Sequence, residues 1–526
     1  MIANNVKVLK PKVLVNSEIP YIKFYHYLLL FIAGLVSVFA YAPFNFSAII
    51  ILSLLILLHI IYNFNESTTK KAAFFCGFSY GIGFFGSQLY WIFYSLYKVI
   101  DTGIIVSTIA YIIFILFLSL YIAISTLFYC KLKSSSKNLN FLFLFPSIWV
   151  ISEWLRGWFF TGFPWSDISY TQVSTSFLKG FYPALGSYAV SWLVMALAAS
   201  LYMLIINILN NKLTNRKNQL RNIILFFAII LLSGTFLSEQ TYTKVYGKPI
   251  SVALVQGNVA QSAKWYTNDF LVVYRNLVAK AKADLVIIPE TAISTFSKYL
   301  PSGYLDELTN LAQKNNASLI IGIPKIINQK NNYVNAAMVL TNPYHPYYAK
   351  DHLVPFGEYI PVKWLLGPVY KAISLPMVGF SDGGENQTPL VAANQKLAFN
   401  ICYENGFNSE LIGSAKNATI MANLSDMVWY GNTIAKDEHL QISQARALEN
   451  QRYFIQVTNT GETAIINPEG QIQSVLPVFK QDILTDRIYG RFGETPFEKV
   501  GNYPIIIWCG LVLIFAILNR KYRFIS

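Results

Sequence analysis

The chain has 526 residues, of which 54% are hydrophobic and only 13% charged, whereas soluble domains carry about 25% charged residues. The deficit falls in residues 25–240 and 502–519, while 241–500 has ordinary soluble composition, which excludes a wholly soluble protein and indicates a membrane protein with one soluble domain. The net charge of +14 does not mark a nucleic-acid binder, because the lysines and arginines gather beside apolar runs, where they set membrane topology.

A spanning helix needs about 20 mostly apolar residues. Candidate spans are 25–42, 47–63, 73–97, 104–130, 139–156, 183–208, 221–238 and 502–519. A basic segment with Lys7, Lys10, Lys12 and Lys23 precedes the first. It resembles a signal-peptide flank, but no small-residue cleavage site follows, so the first run reads as a retained anchor. In the third span, Gly77 and Gly81 form a small-xxx-small pair expected to pack on another helix. The fifth, "NFLFLFPSIWVISEWLRG", carries Glu153 and Arg156 one helical turn apart. They either pair with each other or meet a lipid headgroup.

With a cytoplasmic N-terminus, the inside loops hold Lys70 and Lys71; Lys131, Lys133 and Lys137; and Lys212, Arg216, Lys217 and Arg221. The C-terminal tail adds Arg520, Lys521 and Arg523, while the outside loops are nearly free of positive charge. This bias places the soluble domain outside the cytoplasm. The expected organisation is a cytoplasmic segment 1–24, seven helices in 25–240, an extracytoplasmic domain 241–500, and a last helix with a cytoplasmic tail in 501–526.

Within 241–500, "ISVALVQG", "DLVIIPE", "SLIIGIP", "NAAMVLT", "LAFNICYE", "TIMANLS", "YFIQVTN" and "TAIINP" read as buried strands. Helical patterns lie near 268–283, 303–315, 406–415 and 435–450. The alternation predicts an α/β domain with helix-covered sheets, whose functional groups gather at strand ends. His345, His352 and His439 are too dispersed to resemble a metal motif, and no cofactor motif is present.

Three polar residues follow strand-like runs or adjoin a turn: Glu290, Lys350 and Cys402. A lone cysteine is usually a small buried hydrophobe, and a lone Glu or Lys usually faces solvent. Together the three types fit another role. A cysteine nucleophile needs a base to form thiolate, and a cation or amides to stabilise an oxyanion. Glu, Lys and Cys supply this without histidine. Cys402 is the one cysteine of the soluble part, so no disulfide forms there.

The local motifs resemble the nitrilase superfamily and, within it, the bacterial apolipoprotein N-acyltransferase family. They are "VQGN" at 255–258, "PETA" at 289–292, "KDHLVPFGEYIP" at 350–361, "ICYE" at 401–404, "NLS" and "WYG" within 423–431, and "TNTG" at 458–461. The apolar half contributes "YAPF" at 41–44, "SEWLRG" at 152–157 and "GFPW" at 162–165. The resemblance implies about eight transmembrane helices and an α-β-β-α sandwich domain. It implies Glu290 as general base, Lys350 as transition-state stabiliser and Cys402 as nucleophile, supported by Glu358, Glu404, Tyr403 and Trp429. The family pattern has Asn-Asp after "NLS", where this chain has Asp426-Met427. The difference bears on the hydrogen bonds around Trp429 and not on the triad.

The implied reaction is ping-pong acyl transfer. The donor is a phospholipid and the acceptor the α-amino group of a diacylated apolipoprotein, with no cofactor. The expected setting is a monomer in the bacterial inner membrane, its catalytic domain facing the periplasm. The apolar, proline-broken segment 360–380 either covers the sheet or forms a lipid gate with Trp364, Leu365, Leu366 and Val369. Two other readings stay open: a membrane-tethered amidase using the same triad, and a transporter or receptor.

Overall fold

The computed structural model describes residues 22–64, 68–174, 177–209, 216–261, 264, 268–327, 332–364, 367 and 379–522. Each apolar run carries a helix: α1 (Phe24–Val36), α2 (Ala48–Tyr62), α3 (Lys70–Gln88), α4 (Ile104–Leu132), α5 (Phe145–Arg156), α6 (Ser187–Leu209) and α7 (Arg216–Ser238). By length and apolarity, Ile104–Leu132, Ser187–Leu209 and Leu220–Ser238 can cross a membrane, and Phe24–Ala40, Ala48–Tyr62 and Tyr503–Asn519 are shorter apolar helices. The N-terminal region is thus a helical bundle compatible with a membrane domain.

Two runs differ from a single straight span. Leu89 leaves helical geometry at φ −105° and ψ 18°, so α3 stops and a short helix, Tyr90–Tyr94, follows. The fifth run begins as a π-turn, Asn140–Leu144, before α5. Gly77 and Gly81 do pack on a neighbouring helix. A Cβ on Gly77 would lie 2.2 Å from Thr126 Oγ1 on α4, and one on Gly81 2.9 Å from Ser119 Cα.

Glu153 and Arg156 follow neither expectation. Arg156 Nη2 pairs with Asp167 Oδ1 at 2.6 Å, and Arg156 also donates to the Phe163 and Trp165 carbonyls. Glu153 Oε1 accepts from Trp149 Nε1 at 2.9 Å and Ile168 N at 3.0 Å. Both residues are buried. The loop 163–168 folds back over the end of α5, and its Asp167 carboxylate and backbone groups meet both side chains.

The second half is two six-stranded sheets. The first has the order β12-β1-β2-β3-β4-β5, with β1 (Lys244–Gln256), β2 (Leu285–Ile287), β3 (Ser318–Ile326), β4 (Tyr333–Val339), β5 (Tyr347–Ala349) and β12 (Asp482–Phe492). The second has the order β11-β10-β9-β8-β7-β6, with β6 (Leu390–Ala392), β7 (Gln395–Ile401), β8 (Ile420–Ser425), β9 (Phe454–Thr458), β10 (Ala464–Ile466) and β11 (Ile472–Val475). β1, β2 and β3 run parallel, as do β7, β8 and β9.

Alternation along each strand builds the layers. Val252, Leu254, Leu285 and Ile287 meet Leu397, Phe399, Ala422 and Leu424 between the sheets. Ala253, Val255, Val286 and Ile288 face outward onto α8 (Asp269–Lys280) and α9 (Tyr304–Lys314) through Phe270, Tyr274, Leu277 and Leu308. Ala398 and Met421 face α10 (Asn408–Ala415) and α11 (Ala435–Asn450) through Leu411, Leu440 and Ala447. The result is the expected α-β-β-α sandwich. β1 pairs antiparallel with β12 from Lys244↔Phe492 to Gln256↔Asp482. That pairing places the chain's entry to the domain beside its exit toward α12 (Tyr503–Tyr522).

Helix α11 is polar in sequence, yet every residue but Asp437 is buried. Its other side faces the helical bundle. Trp165 Nε1 and Trp91 Nε1 donate to Glu438 Oε2 at 2.7 and 3.3 Å. Ser187 Oγ donates to Glu449 Oε1 at 2.6 Å, and Ala42 N to Gln441 Oε1 at 3.3 Å. Glu438 Oε1 makes no hydrogen bond among the described residues. Burial therefore lifts the Glu438 carboxyl from an ordinary 4.5 to about 8, against the two indole donors.

A raised carboxyl stabilises the fold below its unfolded value and loses that contribution as pH climbs through its folded value. Between the ordinary 4.5 and about 8, ionising Glu438 costs stability, at up to about 1.4 kcal/mol per pH unit. Thermal melts in detergent are expected to fall over this window more steeply for wild type than for Glu438→Gln. Equal slopes would show that Glu438 does not carry this cost.

Candidate active site

Three strand ends converge. β2 stops at Ile287, and Ile288-Pro289 lead to Glu290. The chain here runs so close to β3 that a Cβ on Gly322 would lie 2.0 Å from the Pro289 oxygen and 2.8 Å from Glu290 Cα. Glycine lets the backbones approach. Lys350 follows β5, and its amide donates to Asn335 O at 2.8 Å.

Cys402 follows β7 and takes a left-handed φ of 56°. A residue with a side chain stays there only when its surroundings hold it. The Cys402 carbonyl accepts from Asn423 Nδ2 at 3.2 Å and His439 Nε2 at 3.1 Å.

The charged groups form one buried cluster. Lys350 Nζ donates to Glu358 Oε1 at 2.9 Å and lies 3.8 Å from Glu290 Oε1. Glu290 Oε1 accepts from Asn335 Nδ2 at 2.7 Å, and Glu290 Oε2 from Asp426 N at 2.8 Å. Glu404 accepts from the amides of Asp351 at 2.6 Å and His352 at 3.0 Å, and from Tyr348 OH at 3.0 Å. It thereby ties the turn after Lys350 to the Cys402 turn. Burial pushes the Glu404 carboxyl up to about 7, opposed by Lys350 and these amides.

Electrostatics set the resting proton positions. Burial raises the Glu290 carboxyl; Lys350 opposes this, and Glu358 and Asp426 reinforce it. Burial works against the Lys350 ammonium, but Glu358 and Glu290 outweigh it and keep the lysine charged. Burial and then Glu290 push the Cys402 thiol well above its ordinary value, against Lys350 and the Tyr403 amide. The thiol thus holds its proton at rest, and a base must remove it.

Other expected residues take different places. The Tyr403 hydroxyl donates outward to Gly162 O at 2.9 Å, so only its amide reaches the sulfur. Trp429 is 36% exposed on the turn Met427–Tyr430. Trp364 is 80% exposed, so it does not cover the sheet. Leu365, Leu366 and Val369 lie outside the described residues. Asp426 bears on more than the surroundings of Trp429: its amide donates to Glu290 Oε2, and its carboxylate favours the protonated form of Glu290. Sequence reading missed Asn335, Tyr348, Asn423 and His439. A polar residue inside an apolar strand, as in "YVNAAMV", was the available signal for Asn335. Among the described residues, no cluster of His, Cys, Asp or Glu is placed to hold a metal ion.

The chain is similar to known proteins across both halves. Residues 33–201 match the apolipoprotein N-acyltransferase N-terminal domain, and residues 251–496 match carbon-nitrogen hydrolase. The apolipoprotein N-acyltransferase of Chromobacterium violaceum is 38% identical over 491 residues, covering 93% of this chain and 92% of the relative. The chain belongs to the apolipoprotein N-acyltransferase family. Two further members are the enzymes of Neisseria meningitidis serogroup B, 36% identical over 84% of this chain and 88% of the relative, and of Coxiella burnetii, 33% identical over 93% and 98%. Membership joins the helical region and the carbon-nitrogen hydrolase domain in one family architecture, and the Glu290, Lys350 and Cys402 cluster lies in the second.

Lys350 lowers the thiol value of Cys402, so Lys350→Met is expected to raise it and reduce the thiolate fraction. Alkylation of Cys402 by iodoacetamide, followed by mass spectrometry, should slow about tenfold or more at a fixed pH below that value. An unchanged rate would show that the Lys350 charge does not act on the sulfur.

Proposed function

We propose that the chain transfers an acyl chain from a phospholipid, through a thioester on Cys402, to the α-amino group of the N-terminal diacylglyceryl-cysteine of apolipoproteins. The observation that carries this reading is the convergence of buried Cys402, Glu290 and Lys350 at three strand ends, with Lys350 Nζ 3.8 Å from Glu290 Oε1, in a family named for acyl transfer. Membership favours acyl transfer over hydrolysis of a small amide.

In the first half-reaction, Glu290 takes the thiol proton and Sγ attacks the ester carbonyl carbon. The negative oxygen forms near the Lys350 ammonium and backbone amides. The ester C–O bond breaks, Glu290 returns the proton to the departing oxygen, and a lysophospholipid leaves. In the second, the acceptor amine attacks the thioester carbonyl. Glu290 takes a proton from the amine, the C–S bond breaks, and that proton returns to the thiolate. Lys350 keeps its charge because the Glu358 carboxylate pairs with the ammonium at 2.9 Å. Burial of the site serves a second purpose, since water at the thioester would divert transfer into hydrolysis.

Both substrates have acyl chains in a bilayer, which fits a domain seated on apolar helices. The charge asymmetry of the loops supports the bacterial inner membrane, with the domain in the periplasm. Trp364, 80% exposed beside the Glu358 turn, fits a lipid-facing gatepost. We take the working form to be a monomer.

Incubation with acyl-labelled phospholipid is expected to place a hydroxylamine-sensitive label on Cys402. Cys402→Ala should carry none. Glu290→Gln should label about 10²–10⁴-fold more slowly. A diacylated peptide should then remove the label as an amide. An undiminished label in Cys402→Ala would sink the proposal. Topology is tested separately at Tyr344, which is 91% exposed. In spheroplasts, Tyr344→Cys should react with an impermeant maleimide before lysis; reaction only after lysis would reverse the orientation.

A further inference from the structure

A second buried cation lies behind Glu290. Lys264 Nζ stands 2.6 Å from Asp426 Oδ2, with the side chains 1% and 3% exposed. Asp426 Oδ1 accepts from Asn459 Nδ2 at 3.0 Å. Asn459 is in turn held on the Val259 backbone, accepting from its amide at 2.9 Å and donating to its carbonyl at 2.8 Å. The Lys264 carbonyl accepts from Ser294 Oγ at 2.6 Å, four residues beyond Glu290. The network therefore joins the segment after β1, the segment after β2, and the ends of β8 and β9. Its output toward the reacting groups is the Asp426 amide, 2.8 Å from Glu290 Oε2.

Stability alone does not account for such a pair. Burying two charges is costly, and well-packed apolar residues of similar volume often serve as well. Removing one partner leaves the other charge buried and uncompensated, beside the base.

We infer that the Lys264–Asp426 ion pair is a positioning element for Glu290, a reading that rests on the acyl-transfer function above. Lys264 pins the Asp426 side chain so that its amide points at Glu290 Oε2. The Lys264 charge also offsets the carboxylate that Asp426 brings beside the base. Lys264 and Asp426 act through Glu290, which receives the Asp426 amide.

The consequence is a pH dependence with a definite sign. Glu290 is faced by Lys350 after β5, Glu358 from the following turn, Asp426 after β8, Cys402 after β7, and the Tyr430 phenol. Glu358 and Asp426 favour its protonated form, and Lys350 opposes them. Without Lys264, the Asp426 carboxylate acts on Glu290 uncompensated. Glu290 then keeps its proton to higher pH, and the acid limb of Cys402 acylation moves up. With Asp426→Asn the negative charge is gone, and the limb moves down.

The test is single-turnover acylation of Cys402 by full-length protein in phospholipid vesicles, followed across pH. Lys264→Met is expected to be about fivefold slower at the pH where wild type is half-maximal, which is a shift of about one unit. Lys264→Arg keeps the wild-type limb. The double variant Lys264→Met/Asp426→Asn returns it toward wild type. Thermal melts report whether each variant folds, and Asp426→Asn alone reads the opposite shift if Lys264→Met does not. Limbs that coincide in all folded variants overturn the inference. So does a loss equal at every pH that the double variant fails to recover. Absence of any Cys402 thioester in wild type would instead overturn the acyl-transfer reading.

Discussion

The site depends on one constraint: an ammonium cannot be buried without carboxylates around it. Lys350 is 1% exposed, and Glu358 and Glu290 lie within 4 Å. Burial alone would strip the lysine of its proton. The two glutamates reverse that outcome, and the charge they preserve then acts on the Cys402 thiol. Each member thus depends on the others. Glu290 is raised by burial and by Glu358, restrained by Lys350, and held by Asn335 and Asp426. A base with this environment can take a proton from a thiol that is itself raised.

The sandwich makes that cluster geometrically possible. Parallel strands of both sheets end on one side, so β2 and β7 deliver Glu290 and Cys402 from opposite sheets, and the β5 edge adds Lys350. Glycine at 322 lets the Glu290 backbone approach β3. Glu404 and the two donors on the Cys402 carbonyl keep the turns in register. The helical bundle joins through α11, whose buried carboxylates receive tryptophan and serine donors from it. The same helix places His439 on the Cys402 carbonyl. The platform and the nucleophile therefore share one element.

Much of this was legible in the amino-acid order. Apolar runs marked the helices, short buried-strand segments marked the sheets, and the short motifs after strand ends marked Glu290, Lys350 and Cys402. Other features were not legible. Arg156 was set beside Glu153 by helical spacing, but its partner is Asp167, because a following loop folds back over α5. The pattern near 435–450 marks a helix, but not that α11 is buried on both sides. Asp426 read as a local change near Trp429, yet it lies against the base. Each miss concerns a contact between segments distant in the chain, where periodicity carries no information.

Legible from the amino-acid order alone were the division into apolar and soluble halves, the α/β class, and the residue types that supply a nucleophile, a base and a cation. These follow from composition, periodicity and side-chain chemistry, which are local properties. Packing supplied the partnerships: Lys350 stands against Glu358 and Glu290, burial and Glu290 raise the Cys402 thiol, and Lys264 balances Asp426 behind Glu290. Burial and the distances between charges set those states, and both arise only when remote strand ends are packed together.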